Sequence, residues 1–162
     1  MKNKIISRSE LKDIVKKLKT EGKKVVSTSG CFDILHAGHV TYLAAAKEKG
    51  DILIVLLNSD SSVKRLKGDQ RPIVPENERA IVLAGLESVD YICIFDEDTP
   101  CSVVEEIQPS TVIKGGDYQG KWIPEMDSVA TYGGSVEYVQ LVDGCSTTNI
   151  VNKVIAVYGK HN

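Results

Sequence analysis

Aromatic residues are scarce: Phe, Trp and Tyr make up 6% of 162 residues, with a single tryptophan. No surplus of positive charge offsets this, since 20 Lys and Arg stand against 22 Asp and Glu, a formal net charge of -2. Nucleic-acid binding draws on a broad basic face, and single strands also need stacking rings. Both are excluded, whereas a local basic pocket for a triphosphate is not. The four cysteines, Cys31, Cys93, Cys101 and Cys145, form no Cys-x-x-Cys pair and have no histidine at zinc spacing. They read as free thiols, Cys93 as core within an apolar run, and none as a nucleophile paired with a base. Long hydrophobic runs are absent too. The longest, Ile52 to Leu57, is far too short to span a bilayer. Met1 to Ser7 carries lysines but no apolar stretch or small-residue cleavage site, so no secretory signal is read. The expectation is a cytoplasmic protein with neither membrane nor nucleic acid as partner.

What is present is the balance of an ordinary globular protein, 42% hydrophobic and 26% charged. There is no repeat, low-complexity stretch or linker, so residues 1–162 read as one domain with its core at about 7–158. Ser7 and Glu10 form a capping-box signature ahead of Leu11, Ile14, Val15 and Leu18 at helical spacing, and Gly22 ends that helix. Val25–Thr28 reads as a strand. A helix follows from about Ala37 to Lys49, with Val40, Leu43 and Ala46 inward and Gly50 as the stop. Ile52–Leu57, apolar on both faces, reads as a central strand of a parallel sheet covered on two sides. Pro75 is placed as the first residue of a helix through Leu86. Strands at Tyr91–Phe95, Thr111–Lys114 and Val136–Leu141 alternate with helices from Thr99 and Pro100 to near Pro109, over Pro124–Tyr132, and from Thr147 or Thr148 to Tyr158. The pattern predicts an α/β, single-domain Rossmann-like fold: a five-stranded parallel sheet with helices on both faces. Ligands of such sheets sit at the carboxyl ends of the strands, and the polar motifs fall in those loops.

Four segments carry the chemistry. In Gly30-Cys31-Phe32-Asp33-Ile34-Leu35-His36-Ala37-Gly38-His39, two histidines three apart project from one face of a helix start. Small residues between them let a ligand reach the backbone. Free N–H groups and the helix dipole favour an anion there, and two imidazoles can donate to a polyphosphate. The bland alternative is a pair of surface or cap histidines, but the only other histidine is His161. Gly144-Cys145-Ser146-Thr147-Thr148-Asn149 precedes the last helix. One of its hydroxyls suffices as an N-cap, and the surplus can hold phosphate oxygens. Lys64 to Pro72 holds four cations in a segment read as a loop, with Lys67 beside Gly68 as the best phosphate-closing candidate. Arg79 fits either a nucleotide contact or a surface salt bridge. In Lys114-Gly115-Gly116-Asp117-Tyr118 a tight turn explains the glycines but not the cation, anion and phenol around them, which favours substrate binding. No third ligand is spaced to complete a metal site.

Gly-x-Phe-Asp, then His-x-Gly-His, with Ser-Thr-Thr before the last helix, resembles the cytidylyltransferase-like nucleotidyltransferase superfamily. Adding Asn58-Ser59-Asp60, Arg65-Leu66-Lys67-Gly68, Arg71-Pro72, Asp96 to Pro100, Lys114 to Tyr118 and Asp143 to Asn149, the chain resembles the bacterial D-glycero-β-D-manno-heptose 1-phosphate adenylyltransferases from about Ser7 to Ile155. The resemblance implies heptose 1-phosphate + ATP → ADP-heptose + pyrophosphate, with Mg²⁺ bound with the triphosphate and no fixed protein ligands. It also implies a homodimer or larger assembly. The absence of a kinase half implies a separate upstream sugar kinase. One departure is Gln119 to Glu125, where the family usually carries a short apolar-glycine stretch; this segment borders the nucleotide or the sugar.

Under this resemblance Gly30, Cys31, Phe32, His36, Gly38, His39, Arg79, Gly115, Ser146, Thr147 and Thr148 contact the nucleotide, with His39 closest to the α-phosphate. His36, His39 and Lys67 are catalytic, Lys67 bridging the α-phosphate and the attacking phosphate. Ser146, Thr147 and Thr148 grip the β- and γ-phosphates. Asp33, Asn58, Lys67, Lys114, Asp117 and Tyr118 recognise the sugar phosphate. Two rival readings share the motifs: a CTP-dependent enzyme acting on a polyol phosphate such as glycerol 3-phosphate, and a nucleotide-binding regulatory module without turnover.

Overall fold

The computed structural model describes residues 3–159; His161 lies outside them. Helix α1 (Arg8–Thr20) starts on Ser7, whose side chain accepts from the Glu10 N–H while Glu10 reaches back to the cap backbone, and Leu11 and Val15 are its buried residues. Strand β1 (Val25–Gly30) leads into α2 (Ala37–Lys47), and β2 (Ile52–Asn58) leads into α3 (Asp60–Lys67). Then come α4 (Glu76–Ala84), β3 (Tyr91–Phe95), α5 (Cys101–Ile107), β4 (Thr111–Gly115), α6 (Pro124–Ala130), β5 (Ser135–Val139) and α7 (Thr147–Tyr158).

All five strands run parallel in the order β3-β2-β1-β4-β5. Residues of alternating parity on β2 enter two separate cores, which is why that strand is apolar throughout. Leu53, Val55 and Leu57 join Tyr42, Leu43 and Ala46 of α2 and Ala80 and Leu83 of α4. Ile54 and Leu56 join Leu11 and Val15 of α1, Val103 and Val104 of α5, and Val129 of α6. Cys93 is buried in the second core, as its apolar run requires. Chain order reverses between β1 and β4, so their carboxyl ends open the crevice where such sheets bind ligands. No described helix is long and apolar enough to cross a membrane.

Several local expectations are corrected. The segment before Gly68 is not wholly loop: Ser59 caps α3 by accepting from the Ser62 N–H, and Lys64, Arg65 and Lys67 occupy its last turn, where the dipole favours cations. With Val63 its one buried apolar residue, this helix has too thin an apolar stripe to be read by periodicity. Val40 points outward and Tyr42 takes the inward place on α2. Pro75 stands as the N-cap of α4 rather than within it, and that helix stops at Ala84.

Candidate active site

The loop after β1 is held in an unusual backbone conformation. Phe32 and Ile34 have φ of 45° and 50°, left-handed values that a β-branched residue adopts only when its surroundings impose them. Asp33 between them is what imposes it. Its carboxylate is 1% exposed and accepts from Arg71 Nε at 2.6 Å and from the N–H groups of Ile73 and Val74, both at 2.9 Å. Burial works to raise the pKa of this group, yet the two N–H groups and Arg71 together hold it below the usual carboxylate value. Its backbone oxygen accepts from Thr147 Oγ1 at 2.6 Å, fastening the start of α7 to the same loop.

That loop delivers the two histidines. His36 is the N-cap of α2, but its side chain makes no cap hydrogen bond. The His36 and His39 rings stack with centroids 3.8 Å apart, and Phe32 meets His39 edge-on at 5.3 Å. Both His36 ring nitrogens and Nδ1 of His39 are buried without a partner among the described residues. Buried polar atoms are rarely left so, and ring nitrogens in this position can donate to an anion. Burial, with the neighbouring His36, pushes His39 down to about 4, and burial also lowers His36. Both rings are therefore neutral near pH 7 in the free protein. Ala37 and Gly38 also have unpartnered N–H groups, because the first intrahelical bonds begin at His39 and Val40.

The start of α7 lies beside the start of α2. A methyl group added at Gly38 would come within 2.8 Å of Cys145 Cβ and 3.0 Å of the His36 ring. Gly38→Ala is therefore expected to keep the fold, since alanine favours a helix, while pushing the two helix starts apart. Turnover should fall by roughly tenfold or more, and a melting curve beside steady-state kinetics checks both halves. The three hydroxyls divide their work. Ser146 accepts from the Asn149 N–H as the cap, Thr147 spends its only donor on Asp33, and Thr148 is exposed with its hydroxyl free.

The cationic candidates separate in the same way. Lys67 ends α3 with its side chain exposed. Burial raises the pKa of the Cys31 thiol, and the charges of Lys67, Arg79 and Arg71 oppose that rise, so all three cations lie within electrostatic reach of the first residue after β1. Arg79 is no surface residue. Its side chain is 1% exposed, donating to the carbonyls of Val74, Cys31 and Asn58 at 2.9, 2.5 and 3.0 Å and to Asp60 at 2.7 Å. It ties the ends of β1 and β2 to the strap before α4. The Asn58 amide likewise turns inward, donating to Ser62 Oγ at 2.9 Å. Asp33, Asn58 and Arg79 thus have their side chains engaged by protein, whereas His36, His39, Lys67 and Thr148 have groups left over. Arg71 was visible in the sequence as one cation of a run and as half of the Arg71-Pro72 motif; nothing there marked it as the partner of Asp33.

Across the crevice, Lys114 near the end of β4 donates to Ser29 Oγ on β1 at 3.3 Å. Its ammonium lies 2.5 Å from Glu125 Oε1 and 5.4 Å from the centre of the Tyr118 ring. Asp117 and Tyr118 are exposed on the turn that follows, and Asp117 packs where a Gly115 side chain would be.

Comparison with known proteins agrees with this geometry. The cytidylyltransferase-like family model matches residues 27–153, from within β1 to within α7. The bifunctional protein HldE of Geobacter metallireducens is 51% identical over 157 residues, 97% of this chain and 32% of that one. The bifunctional protein HldE of Geotalea uraniireducens is 53% identical over 151 residues, 93% of this chain and 31% of that one. The chain spans about a third of the length of these curated relatives. The crystal structure of the lipopolysaccharide core biosynthesis protein from Thermoplasma volcanium GSS1 superposes with a TM-score of 0.61 at 32% identity, covering 75% of this chain and 98% of that one. Unpartnered donors at the switch point of a parallel sheet, inside a match of this extent, lead to one assignment: the chain belongs to the cytidylyltransferase-like family.

Proposed function

We propose that this protein transfers AMP from ATP to a sugar 1-phosphate, D-glycero-β-D-manno-heptose 1-phosphate, releasing pyrophosphate. The observation that carries the nucleotide half is the stacked histidine pair, with three buried ring nitrogens unpartnered beside the free N–H groups of α2. The sugar half is supported by the motif resemblance, by the likeness to a lipopolysaccharide core biosynthesis protein and by the polar cluster at the end of β4. A phosphate oxygen of the sugar phosphate attacks the α-phosphorus; the new P–O bond forms as the bond to the β-phosphate bridge breaks, and pyrophosphate leaves. The nucleophile is already anionic, so no general base is needed. Alignment and stabilisation of growing charge do the catalysis. His36, His39 and the α2 N–H groups hold oxygens of the α- and β-phosphates, Thr148 at the start of α7 the distal ones, and Lys67 closes over the attacking phosphate.

No three His, Cys, Asp or Glu side chains converge among the described residues, so a Mg²⁺ fits as a passenger on the triphosphate oxygens. Bound there, it would neutralise the charge of the leaving pyrophosphate. The reading puts the reaction in the cytoplasm, where ATP is supplied, downstream of a kinase that makes the sugar 1-phosphate. Because the matching family is described as cytidylyltransferase-like, the deciding assay measures pyrophosphate release with each of four nucleotides against a panel of sugar 1-phosphates and glycerol 3-phosphate. The proposal expects ATP with the heptose to win; preference for CTP with the polyol would replace it.

Protons supply a further check. An anion beside His39 raises its pKa from about 4, so the bound state holds more protons than the free one. Affinity for the triphosphate should therefore rise as pH falls from 8 towards 6, with net proton uptake. Calorimetry in two buffers of different ionisation enthalpy reads the uptake directly; proton release would contradict it. In the free protein the sign reverses. A folded pKa below the unfolded one means stability is lost as pH falls from about 6.5 towards about 4.

A further inference from the structure

At the carboxyl end of β4 the one cation does not act alone. Lys114 is 13% exposed, and its partner Glu125 is 4% exposed with an N–O distance of 2.5 Å. Glu125 lies in the first turn of α6. Ser29 and the Tyr118 ring complete the surroundings of the ammonium. The cluster sits at the switch point itself: Lys114 reaches from β4 to Ser29 on β1, and Tyr42 joins the same two strands, its hydroxyl meeting Thr28 Oγ1 at 2.6 Å and donating to the Ile113 carbonyl at 3.1 Å. A lysine meant for a phosphate is better left without a buried carboxylate at contact distance, because the pair has no net charge and the anion would have to displace Glu125. A neutral ion pair flanked by a serine, a phenol and the exposed Asp117 offers donors and acceptors in mixed array. That array suits vicinal hydroxyls.

We propose that Glu125 is a positioning and specificity residue: by neutralising and fixing Lys114 it makes the end of β4 a subsite for the hydroxyls of the acceptor, leaving the phosphates to the histidines and Lys67. This rests on the proposed transfer to a sugar phosphate and divides the crevice into an anionic-ligand half on β1–β2 and a hydroxyl half on β4.

Glu125→Gln frees the charge of Lys114 while keeping the shape. The Michaelis constant for the sugar 1-phosphate should rise about tenfold with that for ATP nearly unchanged. Affinity for inorganic phosphate should increase about tenfold, whether or not a non-hydrolysable ATP analogue fills the nucleotide site. An unchanged phosphate affinity in Glu125→Gln overturns the proposal. Because that variant leaves a buried cation unpaired, Lys114→Met/Glu125→Met is measured beside it, a replacement that buried pairs often tolerate. It should show the same selective rise for the sugar without any gain in phosphate affinity; an unaltered Michaelis constant for the sugar there overturns the proposal too. Phosphate titration needs no turnover. Failure of the wild-type protein to release pyrophosphate therefore counts against the reaction, and only the phosphate and sugar responses of the variants decide the role of Glu125.

Discussion

Replacing His39 by alanine is expected to lower turnover by about 10²–10³-fold, the usual cost of removing one preorganised donor from a transition state. The protein should remain folded, because the ring makes no hydrogen bond that the structure depends on. Its ring contacts are the stacked His36 ring and the edge of Phe32, and among the described residues Nδ1 has no partner. Steady-state kinetics with ATP and sugar 1-phosphate, beside a thermal melt, separate the two effects. The Michaelis constant for ATP should change much less than turnover, since His39 is assigned to the α-phosphate, where charge grows only as pyrophosphate departs. Turnover within twofold of wild type would remove His39 from the mechanism.

The second large effect is on stability. Arg79→Met is expected to destabilise the fold by about 3–5 kcal/mol, the range for breaking a buried ion pair by removing one partner. Methionine has nearly the right length but cannot donate, so the carbonyls of Cys31, Val74 and Asn58 and the carboxylate of Asp60 lose their partner together. Denaturant titration reads this as a lower midpoint at constant slope. Loss of activity in this variant should follow loss of folding, because four of the five guanidinium N–H groups are already committed to protein acceptors. A stable Arg79→Met protein with weakened ATP binding would return Arg79 to the nucleotide contacts expected from the sequence.

The sequence displayed the sheet clearly, and for a physical reason. Strands buried on two faces must be apolar throughout, as Ile52 to Leu57 is, and helices on a sheet must show an apolar stripe, as Leu11, Ile14, Val15 and Leu18 do. Short, mostly exposed α3 has no such stripe, and its cap on Ser59 was hidden in a run that also reads as a turn. The two helix starts were legible because free N–H groups with small and hydroxyl residues leave a mark in sequence. Which hydroxyl does which job was not. Ser146, Thr147 and Thr148 differ only in where their neighbours are, and one of those, Asp33, is 114 residues away from Thr147. The same holds for charge: Asp33 and Arg79 resemble binding residues in a motif, and only three-dimensional packing shows their atoms committed to each other's loops. Glu125 carried no signal beyond sitting in an atypical segment, because its pairing with Lys114 is made by the fold.

The account depends on one polyphosphate chain meeting both imidazoles and both helix starts. A crystal structure with a non-hydrolysable ATP analogue and Mg²⁺ tests this most directly. The predicted result places phosphate oxygens within hydrogen-bond distance of ring nitrogens of His36 and His39 and of N–H groups at the starts of α2 and α7. A triphosphate bound instead at the end of β3, against Arg8 and Arg65, with the histidines untouched, would contradict it.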